Sequence, residues 1–257
     1  MDLSEFDLRM ELQGWAQFDR VVPLPLVRSM KQDIRRKEKE CEEYQRQKGL
    51  HYDGTAHHVI GDGNSIDKFL ANSYLKNYIE HYFDGRPYIL HTINAVTIKR
   101  GQDSYVNSVH RDAKTYSGRF RFLLNMLVML DDFTIQNGAT YILPGSHQSD
   151  VKPSEDNFFK ESSRLVGKTG TIILFNSLVW HAAGKNKTPK SRTALTVVFS
   201  RPFVKQRLDY PRFLSVSYAS TLSPEMRQIL GFNAIVPANY DEWYRPPENR
   251  FYKGDQW

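Results

Sequence analysis

Six short runs of β-branched and aromatic residues, all between residues 88 and 200, limit the fold of this chain more than any other feature. They read YILHTINAVTIK, RFRFLLNMLVML, ATYIL, GTIILF, LVWHAA and RTALTVVFS. Turn-forming residues bound each run, and no long helical pattern separates the runs between residues 120 and 200, so they predict strands. Many short strands in succession are typical of an all-β barrel or jelly roll.

Helical patterns precede these strands, and residues 1–48 have a largely helical character. After Pro25, apolar residues recur every three or four positions among charges, which predicts an amphipathic helix with the proline in its first turn. Residues 49–65 are rich in Gly, His and Asp and predict a loop. A second helix is expected from about Ile66 to Tyr82.

The patterns divide the chain into a helical part (1–85), a β-barrel core (86–204) and a C-terminal extension (205–257) in which LSPEMRQILGF predicts a short helix. No repeat, low-complexity tract or linker interrupts the 257 residues, so we expect one domain, mainly β with flanking helices. Two polar inserts, 101–118 and 145–168, are candidates for loops that line a site.

Composition narrows the classes of function. The net charge of +6 is compatible with an anionic small-molecule substrate, but no Lys/Arg block alternates with aromatics, so we do not expect nucleic-acid binding. The single cysteine, Cys41, excludes an internal disulfide framework. The sequence shows neither a secretory signal nor an apolar run of roughly 20 residues, which predicts a cytoplasmic chain without membrane contact.

Two histidines and one aspartate form a candidate metal site. His110 and Asp112 stand two positions apart, so on a strand both side chains point to the same side. His181 follows a later apolar run. Two imidazoles and one carboxylate suit Fe(II), Mn(II) or Zn(II), and this triad with open positions is the ligand set of non-haem Fe(II) oxygenases. The alternative is a surface His–Asp pair and an unrelated core histidine.

Arg192 opens the last apolar run, eleven positions after His181. A guanidinium that enters an apolar strand needs an anionic partner, and its planar fork matches a carboxylate. The sequence therefore predicts either an acidic co-substrate beside the metal site or a structural ion pair within the protein.

Four segments of the chain resemble the phytanoyl-CoA dioxygenase family, a branch of the Fe(II)- and 2-oxoglutarate-dependent oxygenases. They are HRD, LDDFTIQNGATYILPGSH, GTIILFNSLVWHAAGKN and Arg192 at its eleven-residue offset. The second segment is the most specific, because it contains the Asn-Gly and the Pro-Gly-Ser-His that are typical of the family. The segment GWAQFDRVVPLPLVRSMKQDI is similar to the opening strand and helix of the family.

The resemblance implies a double-stranded β-helix (a cupin-like jelly roll) and an iron site. The iron ligands would be His110, Asp112 and His181, and Arg192 would bind the C5 carboxylate of 2-oxoglutarate. Further co-substrate contacts are expected on neighbouring strands, at Thr97, Asn125 and Leu127. The cofactors are then Fe(II), 2-oxoglutarate as co-substrate and O2, with ascorbate as a stimulant.

The reaction implied is hydroxylation of an unactivated C–H bond of a small molecule, with release of succinate and CO2. Desaturation, epoxidation and ring formation are alternative outcomes. Asp112 disfavours halogenation, because halogenating relatives have a small residue at that position. Two other classes are a non-catalytic β-helix module and a zinc hydrolase, although no general base for a hydrolase is evident.

Substrate contacts are expected from the loops. The candidates are His57, His58, Tyr105, Asn107, Lys114, Tyr116 and Arg119. We interpret His147 as structural, and we expect Trp180 to pack on the face of its strand away from the metal. Gly138 and Gly145 are predicted turn residues with unusual dihedral angles.

Overall fold

The computed structural model describes residues 1–61 and 63–256. Its strands are β1 (Trp15–Phe18), β2 (Thr55–His57), β3 (Ile89–Ile98), β4 (Leu123–Met129), β5 (Thr140–Ile142), β6 (Ser163–Leu165), β7 (Ile172–Asn176), β8 (His181–Ala182) and β9 (Arg192–Ser200). Its helices are α1 (Leu3–Leu12), α2 (Leu24–Gln47), α3 (Ser65–Ala71), α4 (Lys76–Tyr82), α5 (Glu155–Glu161), α6 (Tyr210–Phe213), α7 (Val216–Ser220), α8 (Pro224–Ile229) and α9 (Tyr240–Trp243).

The strands form two antiparallel sheets. The larger sheet has the order β1-β7-β4-β9-β3-β2, and the smaller has the order β6-β5-β8. Neighbours in the larger sheet are distant in sequence, as crossovers between two facing sheets require. This is the jelly-roll arrangement that the strand pattern predicts.

All six predicted strands are confirmed, as β3, β4, β5, β7, β8 and β9. The prediction of one loop over residues 49–65 was wrong at β2, which pairs with β3 through only three residues. Strand β6 likewise lies inside the insert 145–168. Both strands stand in polar segments without a run of β-branched or aromatic residues, so the sequence gives no signal for them.

The helical expectations need two corrections. Residues 1–48 are not continuously helical, because Gly14 (φ +92°) ends α1 and β1 follows as an edge strand. The helix expected from Ile66 to Tyr82 is two helices, since Ser73 and Leu75 adopt left-handed dihedral angles between them. Asn72 and Ser73, which favour caps and turns, stand at the break, whereas the positive φ of Leu75 is a conformation that a bulky residue rarely adopts. Helix α2, with Pro25 in its first turn, and α8 are confirmed.

Alternation along the strands separates two apolar layers. In β4, Leu124, Met126 and Val128 belong to a core shared with the helices on the outside of the larger sheet. Leu127 and Met129 belong to a second cluster between the two sheets. The larger sheet is therefore covered by helices on one face, and its other face is left to a cavity between the sheets.

Gly138 occupies the turn before β5 with φ +83°, and a Cβ atom there would lie 2.2 Å from the carbonyl oxygen of Gly184. Gly145 also has positive φ (+71°), which confirms the prediction for both turns. No helix in the described part of the chain is long and apolar enough to span a membrane.

Candidate functional site

A backbone bridge brings the two histidines of the candidate metal site together. The amide of His110 donates to the carbonyl of His181 (3.0 Å), and the amide of His181 donates in return (2.8 Å). The amide of Asp112 donates to the carbonyl of Ser177 (3.1 Å), which brings the carboxylate to the same end of the smaller sheet. Positions 71 residues apart in the chain thus become neighbours through sheet pairing.

The side chains of His110, Asp112 and His181 converge. One potential ligand atom from each lies within 4.8 Å of the others. Each imidazole Nε2 is 3.8 Å from an oxygen of Asp112, and the two ring centroids are 4.3 Å apart. These separations fit one divalent ion with a carboxylate and two imidazoles as ligands.

Backbone carbonyls orient both imidazoles for metal binding. The Nδ1 atom of His110 lies 2.7 Å from the carbonyl of Ser108, and that of His181 lies 3.0 Å from the carbonyl of Val179. A proton on Nδ1 leaves the Nε2 lone pair free for a metal. Burial and the neighbouring His181 lower the pKa of His110 to about 4, so its ring is neutral at pH 7.

Asn125 orients the carboxylate. Its side-chain amide donates to Oδ2 of Asp112, and the hydroxyl of Ser177 donates to the Asn125 carbonyl (2.7 Å). Asn125 and Ser177 are 2% and 1% exposed, so this hydrogen-bond relay from Ser177 through Asn125 to Asp112 is shielded from water. The relay fixes one oxygen of Asp112 and leaves the other directed at His110.

Replacing Asn125 with alanine is expected to weaken binding of Mn(II), used as a stand-in for the physiological divalent metal, by about 10- to 100-fold, because hydrogen bonds that orient a ligand have effects of this size. Titration of the protein with Mn(II) measures the change. Asn94→Ala is the matched control, since Asn94 also lines the cavity but its Oδ1 accepts from the amide of His58. Equal affinity in wild type and Asn125→Ala would show that the relay has no such role.

Arg192 lies in the cavity wall as a buried cation, 2% exposed. Its guanidinium lies 4.2 Å above the ring of Phe133, and one terminal nitrogen donates to the carbonyl of Gly138 (2.5 Å). Its Nε atom has no hydrogen-bond partner. Within residues 1–61 and 63–256, no carboxylate forms an ion pair with it. Burial lowers the pKa of Arg192 to about 10, so it remains protonated at pH 7.

The cavity between the sheets has a volume of about 590 Å³, and both the candidate metal site and Arg192 lie in its wall. The metal triad, Arg192, Asn125 and Leu127 all line it. Thr97 does not: its hydroxyl lies 3.0 Å from that of Thr193, on the opposite face of the larger sheet. The co-substrate contact expected at Thr97 therefore needs correction, because the residues of β3 that line the cavity are His91, Thr92, Asn94 and Val96.

The candidate substrate residues divide into two groups. The cavity is lined by His57, His58, Tyr105 and Lys114. The other three candidates lie outside the cavity. Asn107 donates to the carbonyl of Ala183, and Tyr116 donates to the carbonyl of Gln148. Arg119 is solvent-exposed. The insert 145–168 also stays away from the cavity, because it folds as α5 and β6. His147 and Trp180 lie outside it, as expected.

Several lining residues were missed from the sequence, among them His91, Thr92, Asn94, Thr140 and Arg207. His91 had one signal, a titratable side chain inside an apolar run. Arg207 had none, since it stands in an irregular segment whose position depends on tertiary contacts.

The fold and the triad define a class: jelly-roll proteins with a His-x-Asp…His metal site open to a cavity. A sequence model of the phytanoyl-CoA dioxygenase (PhyH) family matches residues 10–194, and the chain belongs to that family. It is 34% identical over 154 residues to uncharacterized protein Rv1501 of Mycobacterium tuberculosis, covering 60% of this chain and 56% of the relative. It is 31% identical over 152 residues to dioxygenase FUM3 of Gibberella moniliformis, covering 56% of this chain and 50% of FUM3. The chain thus spans about half the length of the curated relatives it matches.

Solved structures share the fold. EctD from S. alaskensis, crystallised with 2-oxoglutarate and 5-hydroxyectoine, superposes with a TM-score of 0.62 at 17% identity, covering 78% of this chain and 76% of EctD. SnoN, a non-haem α-ketoglutarate-dependent epimerase from nogalamycin biosynthesis, superposes with a TM-score of 0.58 at 17% identity, covering 77% and 81%. The jelly roll is therefore the fold of non-haem, 2-oxoglutarate-dependent enzymes with different reactions.

Proposed function

We propose that this chain is an Fe(II)- and 2-oxoglutarate-dependent dioxygenase that oxidises a small molecule. One observation carries the proposal: a carboxylate and two imidazoles converge in a cavity that also contains a buried arginine that forms no ion pair among the described residues. The carboxylate and the two imidazoles are suited to bind a divalent metal. A dicarboxylate co-substrate that chelates this metal at one end would place its other carboxylate against Arg192 as a counter-ion.

The residues of the cavity fit both iron and 2-oxoglutarate. His110, Asp112 and His181 would hold iron through two Nε2 atoms and one carboxylate oxygen, and Arg192 would hold the C5 carboxylate of 2-oxoglutarate. When bound, iron and 2-oxoglutarate would supply the oxidation: one atom of O2 would enter succinate, which forms from 2-oxoglutarate with loss of CO2, and the other would enter the substrate, converting C–H to C–OH.

The side chains of the protein itself position the metal ligands and shield them from water. Asn125 and Ser177 hold the carboxylate of Asp112 in one orientation. Leu127 and Phe175 line the cavity, and the ring of Phe175 packs edge-on against His181 at 5.1 Å between centroids. Apolar walls next to the ligands exclude water, which protects the reaction from side products.

Hydroxylation is the simplest outcome, because it returns the second oxygen atom to the carbon that lost hydrogen. Desaturation, epoxidation and ring formation follow the same hydrogen abstraction and depend on the substrate. A zinc hydrolase that uses the same triad is the weaker candidate, because its reaction gives no role to the buried cation of Arg192 in the cavity wall.

Succinate release tests the proposal. Wild-type protein given Fe(II), ascorbate, O2 and 2-oxoglutarate is expected to release succinate, and His110→Ala is expected to release none above a protein-free blank. Equal release from wild type and His110→Ala would refute the proposal. A second measurement needs no turnover: Mn(II) with N-oxalylglycine, an inert analogue of 2-oxoglutarate, should raise the melting temperature by about 5–10 °C at a hundredfold excess over Kd.

A further inference from the structure

A β-bulge stands at the edge of the cavity. Strands β3 and β9 pair continuously except at His91, where the register passes from Leu90 opposite Phe199 to Thr92 opposite Val198. His91 is the extra residue, and both His91 and Thr92 line the cavity. Bulges of this kind redirect side chains next to binding sites.

The chain that follows β9 returns to this bulge. The amide of Arg207 donates to the carbonyl of His91 (3.0 Å), and the side chain of Gln206 donates to the carbonyl of Leu90 (2.6 Å). These bonds fix Arg207 in the cavity wall. Arg207 is exposed to solvent, and no carboxylate of the described residues forms an ion pair with it, so its charge is available to an anionic ligand.

Two neutral imidazoles accompany Arg207. The Nδ1 atom of His58 lies 2.9 Å from the hydroxyl of Tyr210, a residue with no exposed surface, and His58 itself has a left-handed backbone (φ +52°). The Nδ1 atom of His91 is buried without a hydrogen-bond partner. Burial lowers the pKa of both histidines to about 4, so at pH 7 each offers one N–H donor and no charge.

The strand register places this group at the level of Asn125, the partner of Asp112, and far along the strands from Arg192. Asn125, the partner of Asp112, lies opposite Val198, and Val198 lies opposite Thr92. Arg192 lies opposite Ile98, six residues further along the same strands, which is about 20 Å of strand. A co-substrate that extends from the metal towards Arg192 therefore leaves the space beside His91 and Arg207 to a second molecule.

We propose that Arg207, His91 and His58 bind a carboxylate group of the primary substrate and thereby direct an apolar part of it towards the metal. The proposal rests on the proposed function, because it takes Arg192 and the metal to be occupied by the co-substrate. One guanidinium with two neutral donors matches a monoanion. A phosphate dianion would favour a second cation, and Arg207 is the only cation in this group of three side chains. Val96, Leu123 and Val198 supply apolar walls.

Binding of acids to the loaded protein tests the proposal. The protein is saturated with Mn(II) and N-oxalylglycine, so that Arg192 is occupied, and is then titrated with hexanoate, decanoate and 3-phenylpropanoate by ligand-observed NMR. At least one acid is expected to bind, and its primary amide is expected to bind at least tenfold more weakly. Arg207→Gln should weaken binding of that acid by about 10- to 100-fold, the loss typical of a charge-assisted hydrogen-bonded pair.

Arg119→Gln is the matched control, because Arg119 has a 96% exposed side chain outside the cavity. It should bind the acid as wild type does, and Arg207→Gln should bind N-oxalylglycine as wild type does. The proposal is overturned if no acid binds, if acid and amide bind equally, if Arg207→Gln retains wild-type affinity, or if hexyl phosphate binds more tightly than hexanoate. Binding of N-oxalylglycine with Mn(II) is recorded on the same samples, so failure of the acid subsite is distinguished from failure of the proposed function.

Discussion

Replacing Asp112 with alanine is expected to weaken divalent-metal binding by at least a hundredfold and to bring succinate release down to the blank. Asp112 is the only carboxylate of the candidate triad, and its loss leaves two neutral imidazoles to hold a dication. Loss of hydrogen bonds that merely orient a ligand costs about 10- to 100-fold, so loss of the ligand itself should cost more. Titration with Mn(II), followed by electron paramagnetic resonance, measures the affinity directly.

Asp103→Ala is the control for this change. Asp103 lies in the same insert, but its side chain is 80% exposed and pairs with Lys185 at 3.2 Å, outside the cavity. Asp103→Ala should keep wild-type metal affinity and succinate release. Metal binding by Asp112→Ala at wild-type strength would show that the triad is not the metal site.

Replacing Arg192 with methionine is expected to raise the KM for 2-oxoglutarate by at least a hundredfold while leaving metal affinity unchanged. A bidentate arginine–carboxylate pair in a buried site would be lost, and a charged hydrogen bond is worth about 1.5–3 kcal/mol before the second bond is counted. Methionine is chosen because it fills much of the same volume. Arg192→Lys keeps the charge without the planar fork and should give a smaller increase.

Although Arg192→Met is expected to impair co-substrate binding, it is not expected to lower the stability of the protein. In the protein without co-substrate the guanidinium is 2% exposed and forms no ion pair among the described residues. Burial lowers the pKa of Arg192 more than the charge of Asp131 raises it, so the buried cation is only partly compensated, which is unfavourable. The melting temperature of the metal-free variant should therefore equal or exceed that of wild type. A KM equal to wild type would contradict the assignment of Arg192 to the co-substrate, and a loss of stability would show that the cation already has a stabilising partner.

The sequence predicted the strands because apolar runs such as RTALTVVFS are local patterns. The candidate triad followed from residue types and from the family resemblance, and the pairing of His110 with His181 that brings it together is not local. The short strands β2 and β6 were missed because they stand in polar segments without a β-branched or aromatic run. The break in the helix expected from Ile66 to Tyr82 depends on backbone angles at Ser73 and Leu75 that the pattern of apolar residues does not encode.

The remaining site residues depend on register, which the sequence does not contain. Thr97 and Val96 differ by one position on β3, yet only Val96 faces the cavity. His91 reaches the cavity because of a bulge, and Arg207 reaches it because its amide bonds to the bulged residue. Asn125 was expected to contact the co-substrate, whereas its amide donates to Asp112. Each of these outcomes is decided by pairing between distant segments.

The turn at Gly138 links the family's Asn-Gly fingerprint to Arg192 by contact. The carbonyl of Gly138 accepts from the guanidinium, the Phe133 ring of the same turn packs beneath it, and the backbone of Gly184 leaves no space for a side chain at this glycine. The backbone of this turn thus holds the arginine in place. In evolutionary terms, the two residues should differ: a descendant that no longer binds an anion there would release Arg192 from selection, whereas the backbone of Gly184 would still exclude a larger residue at Gly138.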